Sequence, residues 1–324
     1  MAGDEEGGLE KHVVELAHEL MTQHQVTVIA HEKYRSRLNT DFIAVDLSKS
    51  RRNIIILYQL YKALKQLQPD IVHVHGNKAA AMVGRVLNFL PLKSVATLHS
   101  RKKNTKMFKN FDAVIAVSPN AAEVLEHPNK HVILNGITPP KLNAEALKIM
   151  PPVVLAVGRL VPVKGFDVLI QAWKGISNAQ LWIAGDGFEQ QKLEVLIKEL
   201  ELENSVKLLG FRSDVTDLMQ QASLYVMSSH YEGCPYTMIE ALLCKTPMVS
   251  TAVGAMTQIL PKQYLCAENN VSALHDLLLR SLDDLAQVEQ NFIPVFADAE
   301  QNLIIKGMVK NIEGVYQQVL NEYS

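Results

Sequence analysis

The sequence predicts an α/β protein of two domains, each built on a parallel sheet wrapped by helices. Three observations carry this reading. Short β-branched runs bounded by Gly, Pro, Asn or Asp alternate with amphipathic segments along nearly the whole chain. The alternation breaks around residues 135–152, where Pro139-Pro140 and Pro151-Pro152 frame a polar stretch. A length of 324 residues matches about two ordinary domains, and 48% hydrophobic residues suffice for two cores.

In chain order, the strand-like runs are 71–75, 94–98, 113–117, 132–134, 153–157, 180–184, 206–209, 224–227 and 248–250. Between them, Leu9, Val13, Leu16 and Leu20 share one helical face, as do Leu57, Leu60, Leu64 and Leu67. Each crossover helix covers a sheet face, so this alternation predicts parallel pairing. A last helix is expected over 302–320, after an irregular stretch through Pro294. The expected domains are residues 1–148 and 149–301, with 302–324 packing back on the first.

The first domain starts unusually. Gly7-Gly8 opens a helix with no apolar strand before it, whereas a glycine turn feeding a helix normally follows the first strand of such a sheet. Removing a central strand strands its neighbours' backbone groups at about 1–3 kcal/mol each. The expectation is a native product that begins upstream, with roughly 10 further residues forming that strand. The rival expectation is that residues 26–30 take its place and the sheet is rebuilt around them.

A net charge of -2 gives no electrostatic reason to expect nucleic acid. The charge is uneven, about +6 over residues 1–150 and about -8 over the rest. Arg101, Lys102, Lys103, Lys106 and Lys109 form a basic loop suited to an anionic membrane surface. Cys234, Cys244 and Cys266 form no CxxC pair and no metal-ligand spacing with histidine, which fits reduced thiols in a cytoplasm and no metal site. The start shows no signal peptide and no apolar run approaches ~20 residues, so membrane contact is expected to be peripheral.

The strongest chemical cluster is the stretch from Gly158-Arg159 to Lys164-Gly165, between a strand and a helix. Loops at the carboxyl ends of parallel strands bind ligands, and here the guanidinium fork and the ammonium suit phosphate oxygens. The second cluster runs from Glu232 through Gly233, Cys234 and Pro235 to Glu240. Pro235 fits the first turn of a helix, whose N-terminal N–H groups attract anions. Gly185-Asp186-Gly187 follows another strand, and His75 and His99 stand at successive strand ends. A G-x-S-x-G nucleophile elbow is absent.

Taken in order, these stretches resemble glycosyltransferase family 4, the retaining family with the GT-B fold of two Rossmann-like domains facing a cleft. The matching stretches are Gly7-Gly8 with His12, Asp70 to His75, Thr97-Leu98-His99, Asn135-Gly136-Ile137, Gly158-Arg159 to Lys164-Gly165, Gly185-Asp186-Gly187, Leu209-Gly210-Phe211, and Glu232 to Glu240. The resemblance implies that Arg159 and Lys164 bind the donor diphosphate and Glu240 the donor ribose. It puts Glu232, His99 and the backbone of Gly233, Cys234 and Pro235 at the transferred sugar. It sets Gly210-Phe211 beside the base and Gly8 in the loop over the diphosphate. It further implies a metal-free transfer from a nucleotide-sugar, UDP-linked, to a saccharide or lipid-linked acceptor. The expected setting is bacterial surface polysaccharide or lipopolysaccharide synthesis at the inner face of the membrane. Gly254-Ala255 departs from a common Gly-Gly, and Gln258 stands where an acidic residue is frequent. Two other readings are a nucleotide-sugar 2-epimerase of the same architecture and a truncated, non-catalytic relative. The intact Arg159, Lys164, Glu232 and Glu240 favour the transferase over both.

Overall fold

The computed structural model describes residues 8–321, so Gly7 lies outside the described residues. Its strand pairs are all parallel among those residues. The chain divides into two compact units, Met1–Thr138 with Leu303–Ser324, and Pro139–Asn302.

The first unit runs α1 (Gly8–Leu20), β1 (Thr27–Ala30), β2 (Asp41–Ala44), α2 (Ile54–Leu67), β3 (Ile71–His75), α3 (Asn77–Leu87), β4 (Lys93–Leu98), β5 (Ala113–Ala116), α4 (Pro119–Glu123) and β6 (Lys130–Val132). Its strands form two sheets, β1-β2 and β3-β4-β5-β6. Both share the same helical covers. On one face, Leu16 and Leu20 of α1 pack with Val95 and Ile115, while Val13 and Ala17 of the same helix pack on Val28 and Ala30. On the other, Ile56, Leu60 and Leu64 of α2 sit with Val72, Val74, Ala96 and Leu98, and Ile29 and Ile43 pack against that cluster. The 3.6-residue spacing of these side chains is what lets α1 serve both sheets. The rival expectation is thus half right. Residues 27–30 form a strand, but among the described residues β1 pairs with β2 alone and β3 with β4 alone. The sheet is not rebuilt as one.

The second unit runs β7 (Val153–Val157), α5 (Phe166–Ala172), β8 (Gln180–Ala184), α6 (Gln190–Glu199), β9 (Val206–Gly210), α7 (Val215–Gln221), β10 (Leu224–Met227), α8 (Tyr236–Leu243), β11 (Met248–Thr251), α9 (Met256–Ile259), β12 (Leu265–Cys266), α10 (Val271–Asp283) and α11 (Leu285–Asn302). The sheet order is β12-β11-β10-β7-β8-β9. After β9 the chain returns to the far side of β7, so the winding reverses between β7 and β10. That reversal opens a crevice at the carboxyl ends of those two strands.

Two expected boundaries shift. Residues 139–148 belong to the second unit because their polar groups are satisfied there. The Asn143 N–H donates to Gln220 Oε1 (2.9 Å), Lys148 Nζ to the Ala222 carbonyl (2.6 Å) and the Ile149 N–H to the Gln221 carbonyl (3.1 Å). Pro294 does not sit in an irregular stretch but inside α11. A proline removes one backbone hydrogen bond, and the buried Val288, Phe292, Phe296 and Ala299 on one face hold the helix across it.

The chain then re-enters the first unit as α12 (Ile305–Asn321). The Ile137 N–H donates to the Leu303 carbonyl and the Ile305 N–H returns to the Ile137 carbonyl, at 3.0 and 2.8 Å. Gly136 makes this approach possible, since a Cβ there would lie 2.4 Å from the Ile304 carbonyl oxygen. Gly136→Ala is therefore expected to cost about 1–3 kcal/mol, the usual range for overpacking. The measurement is the urea midpoint, and an unchanged midpoint would show that the 137–304 bridge yields freely.

Candidate active site

The crevice of the second unit gathers the loops that follow β7, β8, β9 and β10. The loop after β7 is pinned on both sides. The Gly158 N–H donates to the Ala184 carbonyl (3.0 Å) and the Leu160 N–H to the Asp186 carbonyl (2.6 Å). On the other side, Ser228 Oγ donates to the Lys164 carbonyl at 2.9 Å and the His230 N–H to the Val163 carbonyl at 2.9 Å. Gly165 has φ +61°, and a Cβ there would lie 2.3 Å from the Ser228 carbonyl oxygen. The sharp turn and the close approach both need glycine.

This pinning brings together residues 68 positions apart. Lys164 Nζ donates to Glu232 Oε1 at 2.6 Å, and Ser229 Oγ donates to the same oxygen at 2.8 Å. The side chains are 21% and 13% exposed, so the pair is partly withdrawn from water. Removing one member of such a pair leaves a poorly solvated charge behind. Arg159 is exposed in the same loop. Gly233, Cys234 and Pro235 are buried, and Pro235 caps α8 rather than lying in its first turn. No side chain caps that helix, so its N-terminal N–H groups keep their capacity for a ligand. Glu240 sits half-buried within α8. Burial is the main force raising the Tyr225 phenol above its ordinary range, and the nearby Glu240 and Glu232 carboxylates add to it.

Gly185 carries φ +144°, and a Cβ there would lie 1.9 Å from the Gly158 carbonyl oxygen. Its N–H donates to the Gly210 carbonyl at 2.8 Å. Gly210 has φ +67° with open space around it, and Phe211 follows, 75% exposed. The departure at Gly254-Ala255 has a conformational reason. Gly254 has φ +56° and lies against the Gly233 carbonyl, whereas Ala255 has φ -70° and needs no glycine. Gln258 is exposed.

Three contributors escaped sequence reading. Ser228 and Ser229 orient Lys164 and Glu232 from the end of β10. Phe188 stands 79% exposed in the loop after β8, beside the loop that carries Phe211. An exposed phenylalanine directly after Gly185-Asp186-Gly187 was the available signal.

In the first unit, Gly8 opens α1 and is exposed, while His99 follows β4 and is half-buried. His99 belongs to a four-histidine cluster with His12, His73 and His75, whose rings lie 4.2–5.5 Å apart in successive contacts. His73 is held on both nitrogens, by the Tyr316 hydroxyl (2.6 Å) and Thr97 Oγ1 (2.7 Å). Burial depresses all four imidazoles, His12 to about 4, His73 to about 3, and His75 and His99 well below their ordinary value. Neighbouring imidazoles add to this for His73, His75 and His99.

A second surface lies in the same unit. Lys102, Lys103 and Lys106 of the expected basic loop line two adjoining grooves together with Lys49, Arg51 and Arg85. Arg101 and Lys109 line neither, and Lys109 instead pairs with Glu126 at 3.6 Å. Next to Arg51 and Arg52 in sequence, Ile54, Ile55 and Tyr58 are 81%, 69% and 64% exposed on α2. No helix among the described residues is long and apolar enough to cross a membrane.

The histidine cluster predicts acid sensitivity. An imidazole in the unfolded chain titrates near ~6.5, so below that pH the unfolded state binds more protons than the folded one. The stabilisation is complete above pH ~6.5 and is lost as pH falls toward the depressed folded values near 4 and 3. The urea midpoint of the metal-free protein is expected to drop between pH 7 and 4.5, and less steeply in His12→Gln. Identical slopes would remove His12 from the explanation.

Two family models match consecutive parts of the chain, Glycosyltransferase Family 4 over residues 6–140 and Glycosyl transferases group 1 over residues 140–293. An uncharacterized glycosyltransferase of Haemophilus influenzae is 26% identical over 234 residues, 66% of this chain and 61% of its own length. The lipopolysaccharide core biosynthesis glycosyltransferase LpsD of Rhizobium meliloti is 27% identical over 249 residues, 70% of each chain. Among solved structures, Anabaena HepE in complex with UDP superposes with a TM-score of 0.84 at 19% identity, covering 98% of both chains. The two consecutive matches, with this fold around them, make the chain a family 4-like glycosyltransferase of the GT-B type.

Proposed function

We propose that this glycosyltransferase moves a sugar from a UDP-sugar to a saccharide or lipid-linked acceptor with retention at the anomeric carbon and without a metal. The observation that carries the reading is the Lys164–Glu232 pair at the winding reversal, beside the uncapped N-terminus of α8. Lys164, Arg159 and the α8 amides meet the diphosphate, where negative charge grows as the sugar leaves. Lys164 occupies one oxygen of Glu232, which leaves the other to accept from sugar hydroxyls. The backbone of Gly233, Cys234 and Pro235 lines the sugar and His99 contacts it. Glu240 accepts from the ribose hydroxyls.

Gly158 and Gly185 let the loops close on the diphosphate, Gly8 opens the segment that covers it, and Gly210 with Phe211 flanks the base. The acceptor hydroxyl attacks from the face that the diphosphate leaves. The bond from the anomeric carbon to the phosphate oxygen breaks, and that oxygen takes the acceptor's proton. No separate general base is needed. The UDP bound to HepE supports the choice of nucleotide, and the Rhizobium relative supports lipopolysaccharide assembly as the setting.

Lys164→Ala is expected to lower transfer roughly 10²–10³-fold, the range for losing one electrostatic donor. It is also expected to cost about 1–3 kcal/mol of stability, because Glu232 keeps only its Ser229 partner. Normal transfer in a folded variant overturns the assignment. UDP is expected to raise the melting temperature more than GDP or ADP does, and EDTA is expected not to lower the rate. Isomerised UDP-sugar without transfer would favour the 2-epimerase reading instead.

Peripheral contact with an anionic membrane at its inner face is the second part of the proposal. Exposed Ile54, Ile55 and Tyr58 beside basic grooves fit an interfacial helix, with each lysine or arginine worth about 1 kcal/mol near anionic lipid. Binding to phosphatidylglycerol vesicles is expected to weaken with salt and in a variant with Lys102, Lys103 and Lys106 changed to Ser. Equal binding to neutral vesicles would rule it out.

A further inference from the structure

We propose that His12, His75 and His99 form a site for one divalent transition-metal ion of the zinc, cobalt or nickel class. Each offers a ring nitrogen, and the three ligand atoms lie within 4.8 Å of one another. His75 Nδ1 and His99 Nε2 share a hydrogen bond at 3.3 Å, which an ion held between them would replace. Two nitrogens each about 2.05 Å from a tetrahedral ion stand about 3.3 Å apart. That pair already has the required separation, and His12 completes the set by a turn of its ring.

That turn breaks no well-aligned hydrogen bond of His12. His12 is 2% exposed, and neither of its ring nitrogens makes a hydrogen bond of good geometry. Asn135 lies beside the ring and favours its charged form. A buried imidazole left in this state is costly, and a metal takes up one lone pair directly. His73 shows the contrast, because both of its nitrogens are occupied and it cannot serve as a ligand.

The donor chemistry fits as well. Three imidazoles with no carboxylate among them suit zinc, cobalt, nickel or copper and not magnesium or calcium. Ligation requires the neutral ring, which burial already enforces, so binding near neutral pH displaces few protons. The ligands come from α1, the end of β3 and the loop after β4, three elements fixed by packing. An ion there leaves one coordination position open and ties up His99. If His99 contacts the transferred sugar, as proposed above, occupancy inhibits transfer, and this consequence rests on that reading.

The test uses the untagged full chain, stripped with chelator and titrated with Co²⁺. One equivalent is expected to give visible absorption bands of a low-coordinate site, and Zn²⁺ is expected to displace them. His12→Gln and His75→Gln are each expected to weaken Co²⁺ by more than the roughly 10–100-fold that follows loss of an outer-shell partner. His24→Gln, at a half-exposed surface histidine, is expected to bind as wild type. Cooperative melting establishes that each variant is folded, and Zn²⁺ is expected to raise the melting temperature of wild type but not of His12→Gln. Absence of stoichiometric bands, or bands that survive in folded His12→Gln and His75→Gln, overturns the site. Co²⁺ binding at the three histidines with undiminished sugar transfer leaves the site standing and removes His99 from the sugar.

Discussion

The Lys164–Glu232 ion pair depends on one topological fact, the reversal of winding between β7 and β10. Where a sheet winds one way, the connections after neighbouring strands go to the same face and leave no crevice. Here the loops after β7 and β10 diverge, and residues far apart in sequence meet across the opening. The pair in turn constrains its surroundings. A charge at 13–21% exposure needs a partner, so the two loops must be held at hydrogen-bonding distance. Gly165 and the serines at the end of β10 provide that spacing. Gly254 repeats the device on the far side of Glu232, where its backbone lies against the Gly233 carbonyl.

The first unit follows a different logic. Beside the ends of β3 and β4 it carries a run of imidazoles, one of them from α1. Neutral histidines tolerate burial better than carboxylates or ammonium groups, because the cost falls on the charged form alone. This explains how four of them share one interior without a counter-ion. The same burial is the source of the acid sensitivity expected of this unit. The two sheets of this unit are joined by side chains rather than by a hydrogen-bond ladder, so α1 and α2 bear the connection that backbone pairing supplies elsewhere.

Much of this was legible in the sequence, and the reasons are local. Residues 153–157, 180–184 and 224–227 lie in the middle of a sheet covered on both faces, so they read as unbroken apolar runs and were found with their observed limits. Strand β2 was missed although Phe42-Ile43-Ala44-Val45 is an apolar run; the strand itself is a four-residue edge strand with exposed ends. Strand β6 lies two residues earlier than expected, at Lys130–Val132. Its apolar successors Ile133 and Leu134 drew the assignment forward, although only the Ile133 N–H still reaches the sheet. Pro294 misled because a proline inside a helix is disfavoured, and only the burial of Phe292 and Phe296 shows why the helix survives it. The meeting of Lys164 and Glu232 was anticipated by glycines and charges placed at strand ends. The partnership of His12 with His75 and His99 was not, since no motif spacing links positions so far apart.

The geometry of Lys164 and Glu232 also bears on how a ligand is admitted. The Lys164 ammonium is already paired with Glu232, whose same oxygen also accepts from Ser229. An incoming diphosphate must share Lys164 with that carboxylate, and two anions around one ammonium repel each other unless further positive charge arrives. Arg159 in the same loop and the positive end of the α8 dipole are the groups able to supply it. A neutral sugar alone gains nothing from that arrangement, and a lone phosphate cannot reach the amides and the guanidinium together as readily as a diphosphate can. That charge balance suits the diphosphate of the proposed donor better than it suits a neutral sugar or a lone phosphate.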